Sequence, residues 1–288
     1  MKNLNLLILL ALLMLSCEKF NQEEPIPAYI KIDSFTLGDT NLIGSQSKRI
    51  TDAWVTHNGN ILGVFQLPAI VPIIPEDSNE LFIKAGVMMN GMIETRLAYP
   101  FYQPYIQNYN LEANTTTNIN PEVIYRTDDQ IDIYYFNDFE SENINIDVME
   151  NSHVEPKFSE SEIFEGNGSL HLQLTGQAGD SLAQFVMGEP FAYPPVSAEP
   201  AVMLELNYKC DHNFSIGLYL DNGVSQELRR FFTIVSTNGQ WKKNYFNLTG
   251  TMSPLEYISH RFTIEALLSN TADEANIFID NIKILSTK

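Results

Sequence analysis

Cysteine is almost absent from this chain of 288 residues, which has only Cys17 and Cys210. Two thiols are too few for a disulfide framework, so stability must come from buried apolar surface. Hydrophobic residues make up 44% of the chain, enough for real cores and too many for a disordered protein. Positive charge is also scarce. Seventeen Lys and Arg face 36 Asp and Glu, for a net charge of -19. Such a surface repels nucleic acid and anionic headgroups, and it suits a solvated extracytoplasmic protein or one that collects divalent cations. Catalytic signatures are missing as well. There is no Walker loop, no Gly-x-Ser-x-Gly elbow, no His-Glu-x-x-His and no Cys-x-x-Cys. Gly166-Asn167-Gly168 lacks the third glycine and the βαβ setting of a dinucleotide site. Acid pairs such as Glu160 with Glu162 and Asp273 with Glu274 occur, but nothing marks two carboxylates set across a cleft as a glycosidase requires. The expectation is a protein that is not an enzyme.

One apolar run stands out. Lys2 precedes Leu6 to Leu15, and Ser16-Cys17 follows at once. A bilayer span takes about 20 apolar residues, so this run is a secretory signal in form rather than a membrane helix. A cysteine at the end of such a signal resembles the lipobox of bacterial lipoproteins. That resemblance implies cleavage before Cys17 and a diacylglycerol on its thiol. Met14 departs from the commoner leucine. The expected organisation begins with a signal peptide at residues 1–16 and a polar, acidic, proline-bearing tether at 17–27. The acids after Cys17 resemble the surface-export signals of Bacteroidota lipoproteins, which implies lipid anchoring at the outer membrane, facing either the cell surface or the periplasm.

No helical periodicity holds for long. Short alternating runs are instead punctuated by Asn-Gly, Asp-Asn-Gly and proline turns, the pattern of an all-β protein. The polar stretch Arg126 to Gln130 divides the mature chain into an N-terminal unit over 28–125 and a C-terminal unit over 131–288. In the first unit, Ala53 to Phe65 reads as a hairpin turning on Asn58-Gly59. The order of strand, Asn-Gly, strand and proline over Trp54 to Asn90 resembles PEGA-like and immunoglobulin-like modules, small β-sandwiches of bacterial surface proteins. Tyr99-Pro100-Phe101-Tyr102-Gln103-Pro104-Tyr105 interleaves rings with prolines and cannot be a central strand. It is either an exposed aromatic platform or a loop covering the sandwich edge.

The second unit is a long series of strands, with Val202, Leu204, Leu206 and Tyr208 expected inward and Tyr219 outward. Three of its segments resemble the galactose-binding-like jelly roll of carbohydrate-binding modules: Tyr135 to Glu140, Phe164 to Leu172 and Ile277 to Ile284. Gly239-Gln240-Trp241 fits a late strand of that family. The expected fold is therefore all-β, with a small N-terminal β-sandwich followed by a C-terminal β-jelly-roll sandwich.

Asp280 shares alternation with Phe278, Ile282 and Ile284, which would place a carboxylate on an apolar face. It must then hydrogen-bond amides or meet a cation. The resemblance implies a structural calcium held by Glu140 or Asp138, by oxygens of the Gly166 to Ser169 turn including Asn167 and Ser169, and by Asp280. Calcium takes ~6–8 oxygen ligands. Rings that could stack on a sugar are Tyr193, Tyr219, Phe231, Trp241, Tyr245 and Tyr257. Cys210 ends a strand-like run and reads as a buried, inert thiol. Asp180-Ser181-Leu182 resembles the O-glycosylation site of Bacteroidota secreted proteins. The partners expected are a glycan or another envelope protein, with the membrane met through a lipid at Cys17.

Overall fold

The computed structural model describes residues 24–38, 45, 47–127, 129–142, 144–176, 179–192, 202–252 and 257–288. Cys17, Tyr193 and the signal and anchor segment lie outside the described residues. Among those described, the chain is built of strands, with one short 3-10 turn at Thr249–Thr251.

The N-terminal unit contains β1 (Ala28–Ile32), β2 (Thr36–Leu37), β3 (Asp52–His57), β4 (Asn60–Gln66), β5 (Ala69–Ile73), β6 (Asn79–Met88), β7 (Arg96–Ala98), β8 (Tyr105–Tyr109), β9 (Thr116–Ile119) and β10 (Glu122–Val123). A three-stranded sheet runs β5-β1-β9, and a five-stranded sheet runs β4-β3-β6-β7 with β8 also on β6. The β3-β4 hairpin turns at Asn58 and Gly59, whose φ values of 46° and 80° are those the sequence requires of them. Alternating residues of the two sheets, among them Ile30, Ile32, Val55, Val71, Leu81 and Ile83, meet in one core.

The C-terminal unit contains β11 (Ile131–Asn137), β12 (Ile146–Val148), β13 (Lys157–Ser159), β14 (Ser169–Thr175), β15 (Leu182–Phe191), β16 (Val202–Cys210), β17 (Phe214–Asp221), β18 (Gln226–Ile234), β19 (Lys242–Asn247), β20 (Ser259–Leu267) and β21 (Glu274–Thr287). One sheet runs β13-β14-β21-β16-β19, with β11 also on β21; the other runs β12-β15-β20-β17-β18. The chain passes from sheet to sheet at most connections, which makes this β-sandwich a jelly roll. Val202, Leu204, Leu206 and Tyr208 point into its core, as their alternation requires. Cys210 is buried with them, and burial pushes its thiol up to about 11. It is inert on those grounds.

The opposite residues of β16 do not face water. Met203 and Glu205 are fully buried, as are Tyr245 on β19 and Leu285 on β21. Met203, Tyr245 and Leu285 belong to the core of the N-terminal unit. That unit therefore sits on half of the outer face of the six-stranded sheet. The segment from Tyr99 to Tyr105 makes much of this contact. Tyr99, Phe101 and Tyr102 are buried, and Tyr99 meets Tyr245 with ring centroids 4.8 Å apart. The exposed-platform reading of this segment fails for these three rings, because the second unit already covers them.

At the centre of the junction lies Glu205. Its carboxylate accepts hydrogen bonds from the Tyr99 hydroxyl at 2.6 Å and the Tyr125 hydroxyl at 2.8 Å. Lys243 lies 2.7 Å away, and the Lys283 ammonium sits 4.3 Å from the Tyr125 ring centre. Burial alone would raise the Glu205 carboxyl, but Lys243 and Lys283 outweigh it and hold the group down at about 2.

Candidate functional site

The five-stranded sheet of the C-terminal unit keeps its outer face clear of the N-terminal unit's core. The inward residues of β17 are Phe214, Ile216, Leu218 and Leu220, so Ser215, Gly217 and Tyr219 face outward. Gly217 is forced: a Cβ there would lie 2.1 Å from the Arg229 carbonyl oxygen. Its register partners are Arg230 on β18 and Thr263 on β20. One row further along, Ser215, Glu265 and Gln184 stand abreast across β17, β20 and β15. The Glu265 carboxylate accepts from Arg230 and from the Gln184 amide. Burial would raise its pKa, but these donors lower it, so the group is a fixed anion in a polar array. On the other side Tyr219 pairs with Arg261, and its hydroxyl donates to Gln226 at 2.6 Å. Arg261 in turn donates to the Gly188 carbonyl at 2.9 Å and to Asp147 at 2.6 Å. A tyrosine ring beside ordered amide, carboxylate and guanidinium groups can stack on an apolar sugar face while exchanging hydrogen bonds with its hydroxyls.

The Asp280 site is built by an irregularity in β21. Along one edge, β21 pairs with β14 up to Ile279 and with β11 from Ile282. Asn281 has φ 51°, and across from it the β16 register slips between Glu205 and Asn207. The bulge reverses the strand's alternation. Ile277 and Ile279 point inward before it, and Ile282 and Ile284 point inward after it. Asp280 therefore does not share the apolar face of Ile282 and Ile284, as simple alternation predicts. It faces outward with Phe278, into the gap between the ends of β14 and β11.

Two loops fill that gap. Asp280 Oδ2 accepts the backbone N–H groups of Phe164 and Glu165, both at 3.3 Å. Glu140 Oε2 accepts the Asn167 N–H at 2.8 Å. Gly166, with φ 71°, presses on Glu140 so closely that a Cβ would lie 1.5 Å from its Oε1. The two expected acids thus clamp one short loop. Asp138 accepts the Glu140 N–H at 3.4 Å, and the Ser169 hydroxyl donates to the Glu162 carbonyl at 2.6 Å, so both serve the loops themselves. Asp280 is fully buried, and its Oδ1 has no partner among the described residues. Burial raises its carboxyl to about 7 despite the backbone amides. Among the described residues no group of three or more His, Cys, Asp or Glu converges to hold a metal ion. A calcium ion here would draw on Asp280, Glu140 and loop oxygens. The unpartnered anionic oxygen of Asp280 fits that role.

Of the rings picked out by sequence, Tyr219 alone among the described residues lies on the face just described. Tyr245 is fully buried in the junction, and its hydroxyl accepts the Arg49 N–H at 3.1 Å, so no sugar can reach it. Tyr257 is buried in the sandwich core and accepts from Arg229 at 2.7 Å. Phe231 is half-buried against the same core. Trp241 is half-buried and meets Phe164 edge-on at 5.7 Å. Tyr193 lies outside the described residues. Gln184, Arg261 and Glu265 entered no sequence reading of the site, although their period-2 alternation on strands marks them as outward-facing. His171 is packed, with its ring stacked on Phe278 at 4.2 Å.

No family model matches this chain, and no curated protein matches it. Solved structures do. A xylan-binding domain from carbohydrate-binding module family 22 aligns with a TM-score of 0.37 and 17% identity over 54% of this chain and 94% of its own. TmCBM61, in complex with β-1,4-galactotriose, aligns with a TM-score of 0.34 and 13% identity over 53% of this chain and 97% of its own. A family 30 carbohydrate-binding module aligns with a TM-score of 0.38 and 12% identity over 55% of this chain and 88% of its own. The chain is an all-β protein with a jelly-roll sandwich, and its structural neighbours include carbohydrate-binding modules.

Proposed function

We propose that this is a non-catalytic lipoprotein of the bacterial outer membrane that binds glycan on the outer face of its five-stranded sheet. The observation that carries the reading is Tyr219 standing outward beside the cross-strand array of Gln184, Glu265, Arg230 and Arg261, on a face clear of the N-terminal unit's core. Lipid attachment at Cys17, followed by the acidic tether, would hold the protein at the membrane with this face turned to solvent. Asp280 and Glu140, with oxygens of the Gly166 to Ser169 loop, would hold a structural calcium that pins the two loops and takes no part in chemistry. The test is a glycan array probed with soluble protein starting at Asn21, with calcium and with a chelator. Binding to one sugar class, lost on Tyr219→Ala with the fold intact, supports the reading. A folded protein that binds no glycan overturns it.

The alternative is an assembly protein that binds another envelope protein. One observation favours it: β4 is an edge strand whose Ile61, Leu62 and Val64 are exposed. Such an edge can template a partner's strand. Capture of a defined envelope protein, lost when Ile61 and Val64 are replaced by lysine, would support it.

A further inference from the structure

Basic residues are outnumbered about two to one here, so where they gather without acids matters. Three adjacent basic pairs occur: Lys48-Arg49, Arg229-Arg230 and Lys242-Lys243. Arg229 and Arg230 are each paired with a glutamate, and Lys243 is paired with Glu205. Arg49 and Lys242 form no ion pair among the described residues. They meet at the domain junction, in a crevice of about 180 Å³ with no acidic residue in its lining. Two other clefts at the surface of the C-terminal sandwich each carry two acids, Glu162 with Asp211 and Glu155 with Asp180.

The groups that line this crevice are hydrogen-bond donors. Arg49 is half-buried, and its Nη1 donates to the Lys243 carbonyl at 3.2 Å and the Asn244 Oδ1 at 2.6 Å, which fixes the guanidinium. Its Nε and Nη2 make no hydrogen bond among the described residues, so donors remain. Asn90 Oδ1 accepts the Asn247 N–H at 2.9 Å, which leaves its own amide N–H groups. Tyr208 accepts from Asn244 at 2.7 Å and keeps its own proton to give, since burial pushes its hydroxyl up to about 12. Val235, an exposed apolar residue, closes the other side. Arginine, lysine, amide and phenol donors lining one crevice without a carboxylate match an oxyanion. The volume is below the ~300 Å³ of a site for a drug-sized molecule, so the group held is small.

We propose that the domain junction carries an anion site in which Arg49 and Lys242 recognise a carboxylate or sulfate substituent, with Val235 against the ring that bears it. A uronate and a sulfated sugar share this chemistry. The site shares no residue with the Tyr219 face.

The test titrates the full chain at low salt with galacturonate, with galactose 6-sulfate and with neutral galactose, read by calorimetry and by two-dimensional NMR. Binding of one or both charged sugars, with neutral galactose at least tenfold weaker, is expected. A response to galacturonate alone identifies a carboxylate as the group held, and a response to the sulfate ester alone identifies a sulfate. Lys242→Gln, at an exposed position outside the core, should weaken binding at least fivefold with the melting temperature unchanged. Raising ionic strength to ~0.5 M should weaken it further. Binding that is absent for both anions, or that survives Lys242→Gln unchanged, overturns the proposal. So does loss of anion binding in Tyr219→Ala, which would put the anion on the sheet face. If instead Tyr219→Ala abolishes neutral glycan binding and spares the anion, both sites stand. A protein that binds charged sugars and no neutral glycan keeps this site and loses the proposed sheet-face one.

Discussion

Glu205 and Asp280 are two fully buried carboxylates on the same outer face of the same sheet, three strand positions apart in register, and they have opposite fates. Glu205 is met by two lysines and two tyrosine hydroxyls and is held down at about 2. Asp280 is met by two long amide contacts, keeps one oxygen without a partner, and is pushed up to about 7. Burial is common to both, so it is not what decides. The number and charge of the donors that reach each carboxylate decide it. Glu205 is a finished structural ion pair, whereas Asp280 keeps one oxygen without a hydrogen-bond partner among the described residues.

The comparison breaks most strongly at Glu205. Glu205→Ala leaves Lys243 and Lys283 buried with only the more distant Glu165 acting on them, and losing one partner of a buried pair costs about 3–5 kcal/mol. Thermal unfolding should show a fall of several degrees, and an unchanged melting temperature would mean that the lysines reach water. Acid separates the two groups next. The Glu205 carboxyl lies below its ordinary 4.5, so its contribution is complete above that pH and is lost as pH falls towards about 2. The loss is about 3 kcal/mol by linkage, readable in urea melts over that window. Asp280 works the other way. Its carboxyl costs nothing while protonated, and the cost grows as pH rises from 3.8 through about 7.

A sharper contrast comes from Asp280→Asn. At pH 8 without metal it removes an unsatisfied charge, so the variant should be more stable than the parent by about 1–3 kcal/mol. With calcium at a hundredfold over its dissociation constant, the parent should gain about 2.7 kcal/mol and the variant nothing. Melting curves with calcium and with chelator check both halves. Smallest in stability is Tyr219→Ala, a surface change expected within about 0.5 kcal/mol, with glycan binding lost all the same. Affinity electrophoresis beside a thermal melt separates the two effects.

Much of this was legible in the chain. The Asn58-Gly59 hairpin and the inward row Val202 to Tyr208 follow from turn chemistry and a period of two. Asp280 was marked as unusual, but on the wrong face, because the bulge at Asn281 carries no Asn-Gly signature. Glu205 drew no notice, since an acid alternating with apolar residues reads as a solvated outer face. Only the docking of a distant unit turns that face into a core. The same blindness covered the rings. Tyr99, Tyr102 and Tyr245 look in sequence like Tyr219, and what separates them is which of the two sheets of the sandwich they meet.

The way the first unit sits on the second also bears on how this protein can be cut and passed on. A fragment beginning at Ile131 would fold a sandwich whose inner core is complete, yet would bare Met203, Tyr245 and Leu285 and leave Glu205 without its two tyrosines. The jelly roll is thus not a portable cassette. Gene fusions that carry it alone would inherit a sticky, charged scar where its neighbour used to be, and the two halves must travel through evolution and through cloning as one piece.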